Sequence, residues 1–264
     1  MRILLVAGSP CPSSSVLVHS LADGADVVMA VDRGAEACRA GGVVPDAFCG
    51  DGDTVSAETL AWVRSGGYEA GGAQGWQPPV AAHHDSVAAP DAALTVTPAD
   101  DVRDVPEIRG LDGRLGVRVF PPAKYDTDLS LGFSCARTVA EERDEALEVT
   151  VTCASGGRMD HALSVFGVLA ANADLAPVLV EDGVECRVLS PRGRDSWAFG
   201  QDSVGRHFSF VALADGTVVS ERGMRWELDH FRVDALRDRG ISNVIDAPDA
   251  CITCHEGILA AFLV

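Results

Sequence analysis

Lysine is almost missing from this chain. Lys124 is the single example, and every other basic side chain is arginine. No Gly-x-x-x-x-Gly-Lys-Ser/Thr stretch can therefore be written anywhere, which excludes a phosphate loop of the Walker type. Positive charge as a whole is scarce: 21 Lys+Arg stand against 39 Asp+Glu, a formal charge of −18. Such a balance leaves no basic footprint for nucleic acid or an anionic membrane, and it suits a cationic or metal-bound small molecule. Long apolar runs are absent too. None reaches the ~18 residues of a membrane span, and "MRILLVAGSP" falls short of the roughly 7–15 apolar residues of a secretory core. The expectation is a cytoplasmic protein with reduced thiols, with no nucleic-acid and no membrane partner. Its eight cysteines are mostly scattered through apolar runs, where a thiol behaves as a small hydrophobe. "CITCH" (Cys251 to His255) spells a c-type haem attachment sequence. That attachment needs an oxidising compartment, and a zinc site would lack a second ligand pair. The segment reads instead as two closing strands that turn at Glu256-Gly257.

What is present is organisation. The 264 residues are 47% hydrophobic, enough for one large core or two modest ones. The first quarter alternates strand and helix signals. "RILLVAG", "DVVMAVD" and "VVPDAFCGD" read as strands, and "SSSVLVHSLAD", "RGAEACRAGG" and "SAETLAWVRSGG" as helices, the last with Ser56 as N-cap. Short strand–helix–strand units imply a parallel sheet covered by helices. Residues 66–115 break the pattern with Gly, Ala, Pro and Asp, and read as an irregular insertion. His83, His84 and Asp85 fall inside it and are read as loop residues. Strand and helix signals resume from "GVRVFPP" to "APVLVED". After about Asp182 the helical period fades into short strands, among them "ECRVLS", "HFSFVAL", "TVVSERGMRWEL" and "ISNVID". The fold class expected is an α/β N-terminal domain with a mostly parallel sheet (1–182), followed by an all-β sandwich (183–264).

Three clusters stand at predicted strand ends, where open α/β sheets bind ligands. "GDGDT" holds Asp51 and Asp53, "KYDTD" holds Lys124, Asp126 and Asp128, and "SGGRMDH" runs from Ser155 to His161. Any one of them is readable as an acidic turn. Together, at equivalent ends of one sheet, they would converge on one crevice. Magnesium with phosphate fits: Mg²⁺ takes one or two carboxylates plus phosphate oxygens and water, which makes Asp51, Asp53, Asp126 and Asp128 the candidate ligands. Gly156 and Gly157 let backbone approach a phosphate ahead of a helix N-terminus. Arg158 offers a forked cation, and Asp160 and His161 follow on the first helical turn.

The segments "VDRGAEACRAGGVVPDAFCGDGDT", "KYDTDLSLG", "GGRMDH" and "FSFVAL…GMRWEL…GISN" resemble, in this order, the thiamine pyrophosphokinase (thiamine diphosphokinase) family. The resemblance covers nearly the whole chain outside 66–115. It implies a homodimer with thiamine near the subunit interface. It also implies transfer of the diphosphoryl group of ATP to the hydroxyl of thiamine, with Mg²⁺. By the same resemblance Asp51, Asp53 and Asp128 would bind metal and phosphates, and Asp32, Arg33, Gly34 and Lys124 would lie near the nucleotide. Arg158, Asp160 and His161 would shape the place where the substrates meet, with His161 a contact rather than a base. Trp226, Ser242 and Asn243 would form part of the thiamine pocket. An indole such as Trp226 attracts a thiazolium cation, or is simply a buried sandwich tryptophan; the sequence leaves both open.

Departures from the family pattern are visible. Gly52 replaces a phenylalanine, Thr54 a serine and Val165 an asparagine, and the first aspartate of K-D-x-T-D falls on Tyr125. A diphosphokinase acting on another alcohol, such as a pterin, and a nucleotide- or thiamine-binding module without turnover remain the competing readings.

Overall fold

The computed structural model describes residues 1–65 and 126–264, with 116–119 as backbone. The 66–115 insertion, Lys124 and the His83–His84–Asp85 group lie outside the described residues.

Strands β1 (Arg2–Val6), β2 (Val27–Val31), β3 (Ala47–Gly50), β4 (Gly116–Val119) and β5 (Glu148–Thr152) run parallel in the order β5-β1-β2-β3-β4. Both faces of this sheet are covered, which is why β1 and β2 are continuous apolar runs. Leu4 and Val6 of β1 point to one face. There they pack with Val28, Phe48 and side chains of α1 (Ser15–Asp23), α2 (Gly34–Ala40) and α3 (Ala57–Arg64). Ile3 and Leu5 point to the other face, against α4 (Asp128–Arg143) and α5 (Met159–Ala171). Ser14, Ser56 and Thr127 cap α1, α3 and α4, each side chain accepting from a backbone N–H three residues on.

The β-rich part is not a separate body beside this sheet. β6 (Val178–Glu181) pairs parallel with β5, and β7 (Val184–Leu189) returns antiparallel through the turn at Asp182-Gly183. From β7 the same sheet continues. It takes in β9 (His207–Ala212), β12 (Asn243–Val244) and β14 (Leu259–Leu263), giving ten strands ordered β12-β9-β14-β7-β6-β5-β1-β2-β3-β4. A second sheet, β11-β10-β13-β8, packs on its C-terminal portion; its strands are β8 (Ser196–Ala198), β10 (Thr217–Arg222), β11 (Leu228–Val233) and β13 (Cys251–Glu256). Phe208, Phe210, Leu259 and Ala261 from one layer and Trp197, Val219, Ile252 and Cys254 from the other fill the sandwich.

The expected fold class holds, with local differences. "TVVSERGMRWEL" divides at Gly223, which at φ +68 turns the chain between β10 and β11. The Glu256-Gly257 turn joins β13 to β14 as expected. On β13 the buried Cys254 faces the core and the half-exposed Cys251 the other side. Residues three apart on a strand point opposite ways, so this Cys-x-x-Cys-His cannot attach one haem through both sulfurs.

Gly34 opens α2 where the helix meets β1. A Cβ there would sit 1.7 Å from the Val6 carbonyl oxygen. Gly34→Ala is therefore expected to destabilise the fold by about 3 kcal/mol, read as a lowered urea midpoint with unchanged slope.

Candidate active site

The strand order reverses at β1: β2, β3 and β4 lie on one side of it, β5 and β6 on the other. Ligands of open α/β sheets bind beyond the carboxyl ends of the strands at such a switch point. The structure brings two of the three sequence clusters, and part of the third, to this end.

On the β2–β3 side, Asp32, Asp51 and Asp53 each offer a carboxylate oxygen within 4.8 Å of the others. Asp32 is buried and left-handed (φ +46) directly after β2. Its N–H donates to the Cys49 carbonyl (2.8 Å). Its carboxylate accepts from the Gly52 N–H (3.0 Å) and from the Thr54 hydroxyl. The Asp53 N–H donates to Asp51 Oδ1 (3.2 Å). A side-chain hydrogen bond with Asp51, partial desolvation and the negative charges of Asp51, Asp32 and Asp128 hold the Asp53 carboxyl above the usual carboxylate range. Asp128 begins α4, and that electrostatic influence ties it to the group. Asp126 is half-exposed just ahead of α4. Mutual repulsion that raises a carboxyl is what a cation relieves, so the donor set fits a hard, oxygen-preferring metal such as Mg²⁺.

On the β5 side, Gly156 (φ +93) and Gly157 (φ +71) turn the chain into α5. A Cβ on Gly157 would lie 2.1 Å from Pro10 Cγ, so the loop after β1 closes directly over this turn. Arg158 and Asp160 pair with each other, Nη2 to Oδ2 at 2.5 Å and Nε to Oδ1 at 3.1 Å. The Arg158 guanidinium lowers Asp160 to about 2. Both side chains and His161 are exposed at the start of α5, and exposed Arg33 stands at the start of α2 beside buried Gly34.

The residues assigned to an acceptor pocket lie elsewhere. Trp226 is 59% exposed between β10 and β11, so it is not a core tryptophan. Asn243 is buried and fully engaged. Its Oδ1 accepts from the N–H of Trp226 (3.1 Å) and of Val244 (2.9 Å), and its Nδ2 donates to the Trp226 carbonyl (2.8 Å) and to Glu221 Oε1 (3.3 Å). Asn243 therefore shapes this surface by holding Trp226. Ser242, exposed and left-handed (φ +62), donates its N–H to Ser209 Oγ (3.0 Å). β12 and β2 are separated by six intervening strands, roughly 30 Å of sheet at about 4.8 Å per strand.

Several residues escape a sequence reading. The membership of Asp32 in the acidic group was findable, because it follows β2 at the same sheet end as "GDGDT". Glu36 accepts from the Ser56 N–H (2.8 Å) and the Thr59 hydroxyl (2.6 Å), and so fixes the start of α3 after the acidic loop. Glu221, buried in β10, carries no local signal.

Fold and site together define an α/β protein with an acidic crevice at its switch point, fused edge to edge with a β-sandwich. Comparison with known proteins makes this particular. Residues 199–259 match the family model "Thiamin pyrophosphokinase, vitamin B1 binding domain". The whole chain aligns with the thiamine pyrophosphokinase of Bacillus subtilis (17% identity, TM-score 0.66, 98% of that chain covered). It also aligns with a thiamin pyrophosphokinase family protein of Enterococcus faecalis (16%, 0.66, 98%) and with the thiamin pyrophosphokinase of Candida albicans (13%, 0.67, 88%). No curated protein matches the sequence. The resemblance carried by the sequence segments is thereby borne out: the chain has the fold of the thiamin pyrophosphokinases, and residues 199–259 match the model of that family's vitamin B1 binding domain.

Burial raises the Glu221 carboxyl from 4.5 to about 7. Below about 4.5 both folded and unfolded chains hold it neutral, and its contribution to stability is intact. Between 4.5 and 7 only the folded chain keeps the proton, so stability falls as pH rises, by roughly 3 kcal/mol for a difference of this size. Glu221→Gln should remove that loss. Urea denaturation at pH 5 and pH 8 is expected to show the wild type losing more stability than the variant; parallel pH profiles would rule out a neutral buried Glu221.

Proposed function

We propose that this protein is a thiamine diphosphokinase: it transfers the diphosphoryl group of ATP to the hydroxyl of thiamine, giving thiamine diphosphate and AMP, with Mg²⁺. The observation that carries the reading is the Asp32–Asp51–Asp53 group beside the switch-point crevice. Asp32, Asp51 and Asp53, with Asp128 close by, would hold the metal. The metal would supply charge neutralisation for the polyphosphate. The chain's own residues align and neutralise, which is most of what phosphoryl transfer needs. Arg33 and Arg158 offer forked donors to phosphate oxygens, and Gly156 and Gly157 admit phosphate close to backbone. No strong general base is required, and His161 serves as a contact.

Trp226 offers an exposed indole face to the acceptor. A cation over such a face is worth ~0.5–1 kcal/mol at exposed sites and more when desolvated, and thiamine carries a fixed positive charge. Roughly 30 Å of sheet separates this indole from the acidic group within one chain, far more than a molecule of thiamine's size spans. The active form is therefore a homodimer in which the sandwich of one copy faces the crevice of the other. None of the helices among the described residues is long and apolar enough to cross a membrane. The net charge of −18 disfavours nucleic-acid and anionic-membrane partners, and a cytoplasmic location is part of this proposal.

The deciding experiment measures AMP release from Mg·ATP with and without thiamine, and thiamine diphosphate by mass spectrometry. Thiamine-dependent AMP matched by thiamine diphosphate is expected. AMP release that needs another alcohol would reassign the acceptor, and ligand binding without AMP would reduce the protein to a binding module. Asp53→Asn should lower turnover by about 100-fold or more while leaving the unfolding midpoint in place; normal turnover would take this carboxylate out of the mechanism.

A further inference from the structure

The floor of the crevice between β1 and β5 is tied together by a residue that neither the acidic clusters nor the glycines include. Glu181 ends β6, the strand beyond β5. Its Oε1 accepts from the N–H of Ala154 (2.8 Å) and of Ser155 (2.9 Å). Its Oε2 accepts from the N–H of Cys153 (3.1 Å) and from the Ser13 hydroxyl. Cys153 is left-handed (φ +56), a conformation that lets successive N–H groups converge on one anion. The half-buried Glu181 carboxylate fills that concavity.

The same clamp reaches the loop after β1. Beside Glu181, the Asp182 carboxylate accepts from the Ser14 N–H (2.6 Å) and the Ser14 hydroxyl (2.7 Å). From the other direction the Ser9 hydroxyl donates to the Ser155 carbonyl (2.5 Å) and accepts from the Cys11 N–H (3.1 Å). The loops 9–14 and 153–157 are thereby held face to face, with Pro10 against Gly157 and Cys11 against Gly156. Gly156 and Gly157 are the next two residues after the N–H groups that Glu181 holds.

We infer that Glu181 is a positioning residue for the polyphosphate: its carboxylate fixes the 153–157 turn so that Gly156, Gly157 and Arg158 are presented to the crevice in one arrangement. This rests on the reading of the crevice as a nucleotide site, not on thiamine as acceptor. The chemistry requires a charged acceptor with two equivalent oxygens, since each oxygen receives two donors. A glutamine has one acceptor oxygen, and its amide N–H₂ group would face either two backbone N–H groups or an N–H and a hydroxyl. An aspartate keeps the charge on a side chain one methylene shorter.

The test compares wild type, Glu181→Gln and Glu181→Asp. The probe is a non-hydrolysable Mg·ATP analogue, bound under calorimetry, and steady-state constants are measured for both substrates of the wild-type reaction. The expected result is that Glu181→Gln, folded by circular dichroism, binds the analogue about 10-fold or more weakly, since small misplacements of positioning groups have effects of this size. The KM for nucleotide should rise and kcat should fall, while the KM for acceptor stays within about two-fold. Glu181→Asp should recover part of the nucleotide affinity. A merely structural role would lower the melting temperature and the active fraction while leaving both KM values and the analogue affinity unchanged, and that result overturns the inference. Tighter binding by Glu181→Gln overturns it too, because the carboxylate would then be a competitor for the phosphate site. Failure of the wild type to bind the analogue would sink the nucleotide reading and this inference together, and wild-type binding with an unaffected variant would sink this inference alone.

Discussion

Mutual repulsion among three carboxylates within 4.8 Å is the constraint around which this sheet end is built. Asp32 takes a left-handed conformation, unusual for a residue with a Cβ though tolerated by aspartate. It is held there by the Cys49 carbonyl, the Gly52 N–H and the Thr54 hydroxyl. Gly50 has to be a glycine, because at φ +156 a Cβ would come within 2.9 Å of the Asp32 Cβ. Behind the loop, Glu36 pins the start of α3. Local hydrogen bonding on this scale opposes the charges' tendency to separate. Raising one carboxyl, as happens at Asp53, relieves the strain only in part; a cation relieves it for all three.

The continuity of the ten-stranded sheet sets a second constraint. Where two domains meet at a flexible linker, one can swing onto the other. Here β5, β6 and β7 form an unbroken ladder across the 182–183 turn, and bending it far enough to bring Trp226 over Asp32 would break backbone hydrogen bonds. The exposed indole on the sandwich and the acidic crevice therefore stay at opposite ends of each chain. The function proposed above uses both, and on that proposal each chain would contribute its crevice to one site and its sandwich to another.

How much of this was legible in the sequence follows from the range of the interactions involved. Buried parallel strands announce themselves as apolar runs, and the clusters "GDGDT" and "SGGRMDH" stand out because glycines and charges interrupt those runs at the strand ends. Ser56 as the cap of α3 is a three-residue relation and reads directly. Gly223 and the charged residues around it mark a turn in the sequence, but where β10 ends and β11 begins is set by their pairing with each other and is not a local signal. Glu181 and Glu221 were invisible for a stronger reason. Each is a single acid in a strand: the partners of Glu181 lie 26–28 and 168 residues away and the Asn243 partner of Glu221 lies 22 away, brought close only by strand pairing and sheet packing. The continuity of the sheet through the β6–β7 turn was equally hidden, since a tight turn before a strand reads the same whether the next strand joins the old sheet or begins a new one.

The charge balance fits the same division of labour. A chain at −18 repels a free polyphosphate at long range, over the ~8 Å that physiological salt leaves unscreened. On the proposed function, a metal-bound polyphosphate carries less negative charge and would meet carboxylates able to take up its cation. Its oxygens would then meet fixed backbone dipoles and arginine forks rather than mobile ammonium groups. A fixed cation such as a thiazolium, by contrast, would be drawn to the acidic surface from the outset and would find in Trp226 a face whose attraction does not depend on proton transfer. Scarcity of lysine is no handicap under this proposal, because attraction would reside in the metal and the carboxylates, and the arginines and glycine turns would have only to give the bound phosphates their direction.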